Sequence, residues 1–172
     1  EIIINLINKH ISKNLGENFS FIKQSVVKLC EDLIFLNENS KNKISSLFKS
    51  AMKNGTTVLV HGYSTTVFHA LRECKRCGIN LNVLITDCSP EHLGTKMDLA
   101  LKDEGIKCDI ILDLSIGYHM NNIDCVLVGA NAIVENGGVI NRIGTYTLAV
   151  VAKNFKKPFY VLSETLKFLK LY

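Results

Sequence analysis

The sequence predicts an α/β protein: a Rossmann-like parallel sheet flanked by helices and preceded by an N-terminal helical segment. Residues 1–54 carry apolar side chains at helical spacing, whereas from residue 55 short β-branched runs alternate with helical stretches. These runs are apolar on both faces, which is typical of a parallel sheet between two helix layers. We therefore divide the chain into a helical segment, 1–54, and a Rossmann-like domain, 55–172.

Three helices are predicted in the helical segment. Apolar residues recur at helical spacing over residues 3–11 and again over 19–36. The polar stretch 37–42 predicts a break. A shorter third helix then follows and ends at Asn54-Gly55, because glycine is common just after a helix.

The Rossmann-like domain is predicted to contain five strands with helices between them. The strands are expected at 56–60, 81–86, 108–112, 125–128 and 158–162, and the helical stretches at 64–77, 92–104, 115–120 and 145–154. In such sheets ligands bind beyond the carboxyl ends of the strands. The loops that should share this mouth are 61–64, 87–94, 113–115 and the long loop 129–144.

The composition excludes several classes of protein. The 172 residues are 47% hydrophobic and 21% charged, as expected for one folded core. No apolar run approaches the roughly 20 residues of a membrane helix, and residues 1–15 lack the basic start and cleavage site expected of a secretory signal. Six cysteines lack the spacing of a disulfide scaffold, which favours a reducing, cytoplasmic setting. We expect no membrane association.

The net charge of +4 is too small to indicate direct nucleic-acid binding. Residues 150–172 nevertheless hold five lysines, the last of them Lys170, against one glutamate. That end is either an ordinary solvated face or a surface for an acidic partner.

The loop after the first predicted strand resembles a hydrolase nucleophile elbow, since Gly62-Tyr63-Ser64 has the Gly-x-Ser form. Thr66 stands where that elbow needs its second glycine. The alternative is that Ser64 caps the following helix, where its side-chain oxygen satisfies a free backbone N–H.

Two other groups of residues have spacing that could support chemistry. Cys74 and Cys77 form half of a zinc or redox pattern, but no second pair follows, so we expect both to pack as small apolar groups on one helical face. Asp113 ends the third strand and could act as a general base or cap the next turn. We predict no metal site and no cofactor.

The long loop is the most informative stretch. Adjacent glycines, Gly137 and Gly138, allow backbone conformations closed to other residues, and Asn136, Asn141 and Arg142 supply donors before a helix N-terminus. This arrangement favours a phosphate, although a tight turn with local asparagine bonds would explain the same residues. The pattern is neither a dinucleotide fingerprint nor a nucleoside-triphosphate loop.

Residues 128–145 closely resemble the alpha-subunit signature of the translation initiation factor 2B family. The resemblance is carried by Val128-Gly129-Ala130-Asn131, by Glu135-Asn136-Gly137-Gly138 and by Asn141-Arg142-Ile143-Gly144-Thr145. It extends to Val60-His61-Gly62-Tyr63-Ser64, to Thr86-Asp87-Cys88-Ser89-Pro90 and to Lys157-Pro158-Phe159-Tyr160-Val161, so that about residues 40–169 align.

The same family includes ribose-bisphosphate and methylthioribose-phosphate isomerases. The resemblance implies that their reactive cysteine and aspartate fall at Gly62 and Asn131, neither of which exchanges a proton near neutral pH. What remains is a phosphate-binding or sugar-binding pocket. Its predicted residues are His61, Gly62, Tyr63, Ser64, Asp87, Asn131, Asn136, Gly137, Gly138, Asn141, Arg142 and Thr145.

The resemblance also implies a function. We expect a regulatory, non-catalytic subunit of the guanine-nucleotide exchange factor that acts on translation initiation factor 2 and senses its phosphorylated alpha subunit. The implied partners are the other subunits of the factor 2B complex, a second copy of this chain, and a sugar phosphate or nucleotide. The alternative is an aldose-ketose isomerase of sugar phosphates.

Overall fold

A computed structural model describes residues 2–169 of the chain. The helices are α1 (Ile2–Lys13), α2 (Phe19–Ala51), α3 (Thr65–Arg76), α4 (Leu93–Asp103), α5 (Ile116–His119) and α6 (Thr145–Asn154). The strands are β1 (Thr57–His61), β2 (Asn82–Thr86), β3 (Cys108–Ile111), β4 (Cys125–Val128), β5 (Ala132–Val134), β6 (Val139–Ile140), β7 (Phe159–Val161) and β8 (Phe168–Leu169). Short 3-10 turns occupy Asp113–Ser115, Met120–Asn122 and Thr165–Lys167.

Five strands form one parallel sheet in the order β3-β2-β1-β4-β7. β1 lies at the centre, between β2 and β4, and the chain crosses from β3 back to β4 on the other side of it. This confirms the predicted Rossmann-like sheet, and these strands begin and end within one residue of the predicted bounds.

The core lies on both faces of the sheet because successive side chains of a strand point to opposite sides. Val58 and Val60 of β1 pack with α3, α4 and the end of α2, whereas Leu59 packs on the side of α5 and α6. All three are fully buried or nearly so. Because the central strand is apolar on both faces, helices pack against both sides of the sheet.

The predicted break at residues 37–42 is wrong, since α2 runs without interruption through 33 residues. The stretch contains no glycine or proline, so nothing in its backbone ends a helix. Ser40 donates its hydroxyl to the Leu36 carbonyl and is accommodated within the helix. Packing against α3, with Phe48 and Met52 buried in the core, supplies the stability that the polar stretch does not.

The end of α2 belongs to the same core as the sheet, so the division at residues 54 and 55 stays a prediction. Residue 1, residues 170–172 of the predicted second domain and the basic side chain Lys170 lie outside the described residues. None of the helices within 2–169 is long and apolar enough to cross a membrane.

The long loop was predicted without strands, which is wrong. β5 and β6 form an antiparallel hairpin, and β8 adds to β5 in parallel to make a second, three-stranded sheet. The turn places Gly137 at φ +80°, and the Gly138 N–H bonds the Asn136 side chain at 2.9 Å. An Asn-Gly-Gly turn between apolar pairs is a hairpin signal that the sequence reading missed.

Candidate functional site

The carboxyl ends of the central strands open into one mouth, where the structure brings the four predicted loops together. The ring of His61, at the end of β1, contacts Thr86 at the end of β2 and the carbonyl of Ile143 in the loop before α6. Asp113, after β3, accepts the backbone N–H groups of Cys88 and Ser89 at 3.1 and 2.9 Å.

His61 is buried, and both of its ring nitrogens are bonded. Nε2 lies 2.8 Å from the Ile143 carbonyl oxygen, which can only accept, so Nε2 carries the proton. Nδ1 then accepts the Thr86 hydroxyl at 2.7 Å. The ring also lies against Gly144, where a Cβ would approach its Cε1 at 2.7 Å. His61 therefore joins two strands and the long loop, and its nitrogens are not free to move a proton.

Cys88 places a thiol in the middle of the mouth. Its side chain is 3% exposed, with Sγ 3.8 Å from His61 Nε2. Burial, and then the negative charge of Asp113, raises the pKa of the Cys88 thiol. Because His61 Nε2 already carries a proton, it cannot take one from the sulfur. The thiol therefore stays protonated. Asp113 accepts backbone N–H groups of the neighbouring loop, and the prediction that it caps the turn that follows it is wrong.

Gly62 lies beside this thiol with φ +67°, a left-handed conformation that favours glycine. A Cβ built there would stand 3.3 Å from Cys88 Sγ. The loop after β1 thus brings its backbone against the sulfur of the neighbouring loop, and a larger side chain at residue 62 would meet both strain and contact.

A polar cavity of about 200 Å³ opens next to this cluster. It is lined by His61, Tyr63, Ser64, Thr65, Gly129, Ala130, Asn131, Asn141, Arg142 and Lys167. The N-terminus of α3 faces it, and Ser64 caps that helix as predicted by accepting the Val67 N–H at 3.4 Å. Asn141 donates its amide to the Gly129 carbonyl at 3.0 Å, which holds the loop over the cavity. Free N–H groups at a helix start attract an anion.

Two cations border the cavity, and each has a carboxylate partner. Arg142 pairs with Glu91 at the surface. Lys167 Nζ lies 2.9 Å from Glu164 Oε2, and Glu164 also accepts the hydroxyl of the buried Thr66. Burial alone would raise the pKa of Glu164, but the hydrogen bonds from Thr66 and Lys167 outweigh it and lower that pKa. Glu164 is therefore a buried carboxylate that holds Lys167 in place.

Six of the predicted residues line the cavity: His61, Tyr63, Ser64, Asn131, Asn141 and Arg142. Lys167 was missed, because it follows the last core strand in a 3-10 turn that the sequence reading did not predict. The basic end that includes Lys167 was noticed only as a possible partner surface. The Glu164–Lys167 spacing of three residues was the available signal.

The other predicted residues lie outside the cavity lining. Asp87 holds its own loop through Ser89 and His92, and the bonds from His92 and Ser89 lower the pKa of Asp87. Asn136, Gly137 and Gly138 form the hairpin turn at the far end of β5. Thr145 begins α6, and its buried hydroxyl has no partner among residues 2–169. Their predicted contacts with a ligand stay predictions.

The cysteine pair does not pack as predicted. Cys74 is fully buried in the core, and burial raises the pKa of its thiol to about 11. Cys77 is exposed, because it is the C-cap residue of α3 and its backbone is no longer helical. The described part of the chain holds no group of three or more His, Cys, Asp or Glu placed to bind a metal.

The sheet order and the polar cavity at its strand ends define a Rossmann-like α/β protein. The chain belongs to the Initiation factor 2 subunit family, whose sequence pattern matches residues 2–172. This confirms the resemblance predicted from the sequence.

Its relatives include both functional branches of that family. The chain is 40% identical over 155 residues to the translation initiation factor eIF2B subunit alpha of Dictyostelium discoideum, covering 90% of this chain and 48% of that protein. It is 32% identical over 166 residues to the ribose 1,5-bisphosphate isomerase of Archaeoglobus fulgidus, covering 96% and 53%. The chain thus spans about half the length of these relatives.

Solved structures show the same fold. The tetrameric eIF2B-beta2-delta2 complex from C. thermophilum contains a chain that matches with a TM-score of 0.83 and 22% identity, over 97% of this chain and 55% of that one. The Pyrococcus horikoshii OT3 translation initiation factor eIF-2B matches with a TM-score of 0.78 and 27% identity, over 87% and 53%.

Proposed function

We propose that the chain forms part of a regulatory, non-catalytic subunit of the guanine-nucleotide exchange factor that acts on translation initiation factor 2. The observation that carries this proposal is the 40% identity to an eIF2B alpha subunit along 90% of the chain. In this role the subunit works in the cytoplasm, pairs with a second copy and with other subunits of the complex, and helps the complex sense the phosphorylated alpha subunit of the initiation factor.

The absence of turnover is supported by the residues at the mouth. Gly62 and Asn131 stand at the positions that the family resemblance assigns to a reactive cysteine and aspartate. A glycine has no side-chain proton, and a carboxamide does not ionise near neutral pH. The nearby groups do not replace them, because the Cys88 thiol is buried with a raised pKa and Asp113 is engaged by two backbone N–H groups.

The polar cavity supports binding of the phosphate of a sugar phosphate or nucleotide. The start of α3, the amides of Asn131 and Asn141, and the cations Arg142 and Lys167 all border it. A volume of about 200 Å³ suits a phosphoryl group and part of a sugar. Binding without turnover would make this ligand a stabiliser or a signal for the subunit.

Co-expression with the other exchange-factor subunits tests the regulatory role. A tagged chain should co-elute with them from a size-exclusion column, and its presence should make nucleotide exchange more sensitive to phosphorylated initiation factor 2. A correctly folded chain that elutes apart from all of them, and leaves the exchange rate unchanged with either form of the factor, overturns the proposal.

An isomerase is the second candidate, favoured by the 32% identity to a ribose 1,5-bisphosphate isomerase and by the thiol beside Gly62. Turnover of ribose 1,5-bisphosphate by the wild-type chain would support it. Cys88→Ser is the matched variant, because loss of that turnover in a folded protein would assign the reaction to this thiol rather than to a contaminant.

A further inference from the structure

A second cavity, larger and mainly apolar, lies between α2 and the small sheet. It has a volume of about 710 Å³ and lies on the other side of Asn131 and Lys167 from the polar cavity, since these two residues line both. Its walls come from Cys30, Leu33 and Ile34 of α2, and from Ile140, Leu166 and Leu169 opposite. Apart from the shared Asn131 and Lys167, the family resemblance and the phosphate proposal assign no residue to it.

Three of the four polar side chains that line this cavity lie at one end. Asn131, Glu164 and Lys167 lie where it adjoins the polar cavity, whereas the remaining lining is apolar apart from Asn37. Small-molecule sites are typically clefts of about 300–1,000 Å³ with apolar walls and a few convergent polar groups. The volume and this one-sided polarity fit a small molecule better than a protein segment, whose backbone would need polar partners along its whole length.

The charge at the polar end selects the kind of ligand. The Glu164 carboxylate also lines this cavity, but it is 3% exposed, accepts the Thr66 hydroxyl and forms an ion pair with Lys167, so its charge is largely compensated. The Lys167 ammonium carries three N–H donors, and Glu164 is its one ion-pair partner within residues 2–169. Lys167 can therefore offer donors to an anion while Glu164 holds it in position.

We propose that this cavity binds an amphiphilic anion, with the apolar part of the ligand between α2 and the small sheet and its anionic group at Lys167. The site is distinct from the proposed phosphate cavity but shares Lys167 and Asn131 with it. The ligand class is an apolar body of roughly naphthalene to decyl size carrying a sulfonate, carboxylate or phosphate, which follows from the volume range of small-molecule sites.

The chain contains its own reporter for this test. Cys30 lines the cavity and is half-buried, whereas Cys77 is exposed at the end of α3 and lies outside the lining. The probe is 8-anilinonaphthalene-1-sulfonate, whose dissociation constant is first measured by fluorescence. Alkylation of both cysteines by N-ethylmaleimide is then followed by peptide mass spectrometry. At ten times the dissociation constant, Cys30 should react about tenfold more slowly, and Cys77 at an unchanged rate.

Variants and a neutral probe separate the two parts of the proposal. Lys167→Met should weaken binding of the sulfonate about tenfold, whereas Lys153→Met, at the end of α6, should leave it unchanged. Ile34→Asn, at a side chain 62% exposed, removes apolar wall without disturbing the core and should also weaken binding. The uncharged N-phenyl-1-naphthylamine should bind the wild type more weakly than the sulfonate does. Its affinity for Lys167→Met should equal its affinity for the wild type.

Three outcomes overturn the proposal: no protection of Cys30 at saturating sulfonate, equal protection of Cys30 and Cys77, or unchanged binding by Lys167→Met. Ribose phosphate is titrated in parallel and should leave Cys30 reactive. If ribose phosphate fails to bind while the sulfonate protects Cys30, the phosphate proposal falls and this one stands.

Discussion

The two halves of the mouth differ in how their polar groups are used. On the side of β2 and β3, His61, Cys88 and Asp113 are buried or bonded to other parts of the protein, and the thiol is kept protonated. On the side of the long loop, Asn131 and Lys167 border two cavities and keep donors to offer. Binding an anion and performing proton chemistry are thus separable demands at one sheet edge, and we propose that this chain meets the first.

Substitutions on the side of β2 and β3 should destabilise the fold more than those on the side of the long loop. The largest loss of stability is expected at Gly94. A Cβ there would clash with the backbone oxygen of Thr86 and stand 2.9 Å from Asp87 Cα, neither of which can rotate away. Gly94→Ala should lower the free energy of unfolding by about 3 kcal/mol in urea titration. Gly117→Ala is the control, because a Cβ there meets nothing within 4 Å. Equal stability of the two variants would contradict the close approach of α4 to β2.

The contact that fixes Lys167 should show itself in the pH dependence of stability. Because the pKa of Glu164 is lowered in the folded protein, its stabilisation is present above the usual carboxyl range and is lost as pH falls through the folded-state pKa. Glu164→Gln should cost about 2 kcal/mol at neutral pH, since it leaves Lys167 without its charged partner. The cost should shrink on acidification in urea titrations run from pH 7 to pH 3.

Glu17→Gln serves as the control for that series, because Glu17 is exposed and far along the chain from the mouth. A cost for Glu164→Gln that stays constant down to pH 3 would mean that the carboxylate contributes no charge to the folded state.

A substitution at Gly62 should have a smaller effect on stability, and it tests the position of the Cys88 thiol. Gly62→Ala adds a Cβ in a left-handed conformation and 3.3 Å from Cys88 Sγ, and should cost about 2 kcal/mol at most. Gly137→Ala has a similar backbone, φ +80°, with nothing within 4 Å. The two variants share the strain, so the excess cost of Gly62→Ala in thermal unfolding measures the sulfur contact. No excess would place Cys88 farther from the β1 loop.

Replacing Arg142 should have the smallest effect on stability but a clear effect on the binding of ribose phosphate. Its pair with Glu91 is at the surface, where ion pairs contribute about 0.5 kcal/mol. Arg142→Gln should therefore unfold like the wild type but bind ribose phosphate about tenfold more weakly by isothermal titration calorimetry. Unchanged affinity would remove Arg142 from the site.

The sequence predicted the sheet well because each strand is a short apolar run between glycine or polar signals. β4, Cys125–Val128, and α6, Thr145–Asn154, were predicted to the residue. The continuous α2 was missed because the polarity of residues 37–42 was taken as a break, although packing against α3 and not local propensity decides a helix there. The pairing of β8 with β5 joins residues far apart in the chain, and only two residues of β8 carry it.

The candidate site, too, could be predicted only in part, because local sequence patterns do not determine contacts between distant loops. Residues next to strand ends, such as His61 and Asn131, could be placed because the ends of parallel strands meet. The contact of Cys88 with the ring of His61, and the place of Lys167 on the cavity wall, depend on side-chain directions in loops. No periodic pattern encodes those directions, so the sequence predicts the region of the candidate site without its inner geometry.

We propose that the polar cavity binds a sugar phosphate and leaves it intact, and phosphorus NMR of ribose 1,5-bisphosphate tests this most directly. With the wild-type chain, we predict that the phosphate resonances shift or broaden, that the change is lost with Arg142→Gln, and that no product resonance grows over hours. A product resonance that appears with wild type and disappears with Cys88→Ser would contradict the account. Resonances that stay unchanged at millimolar ligand would do the same.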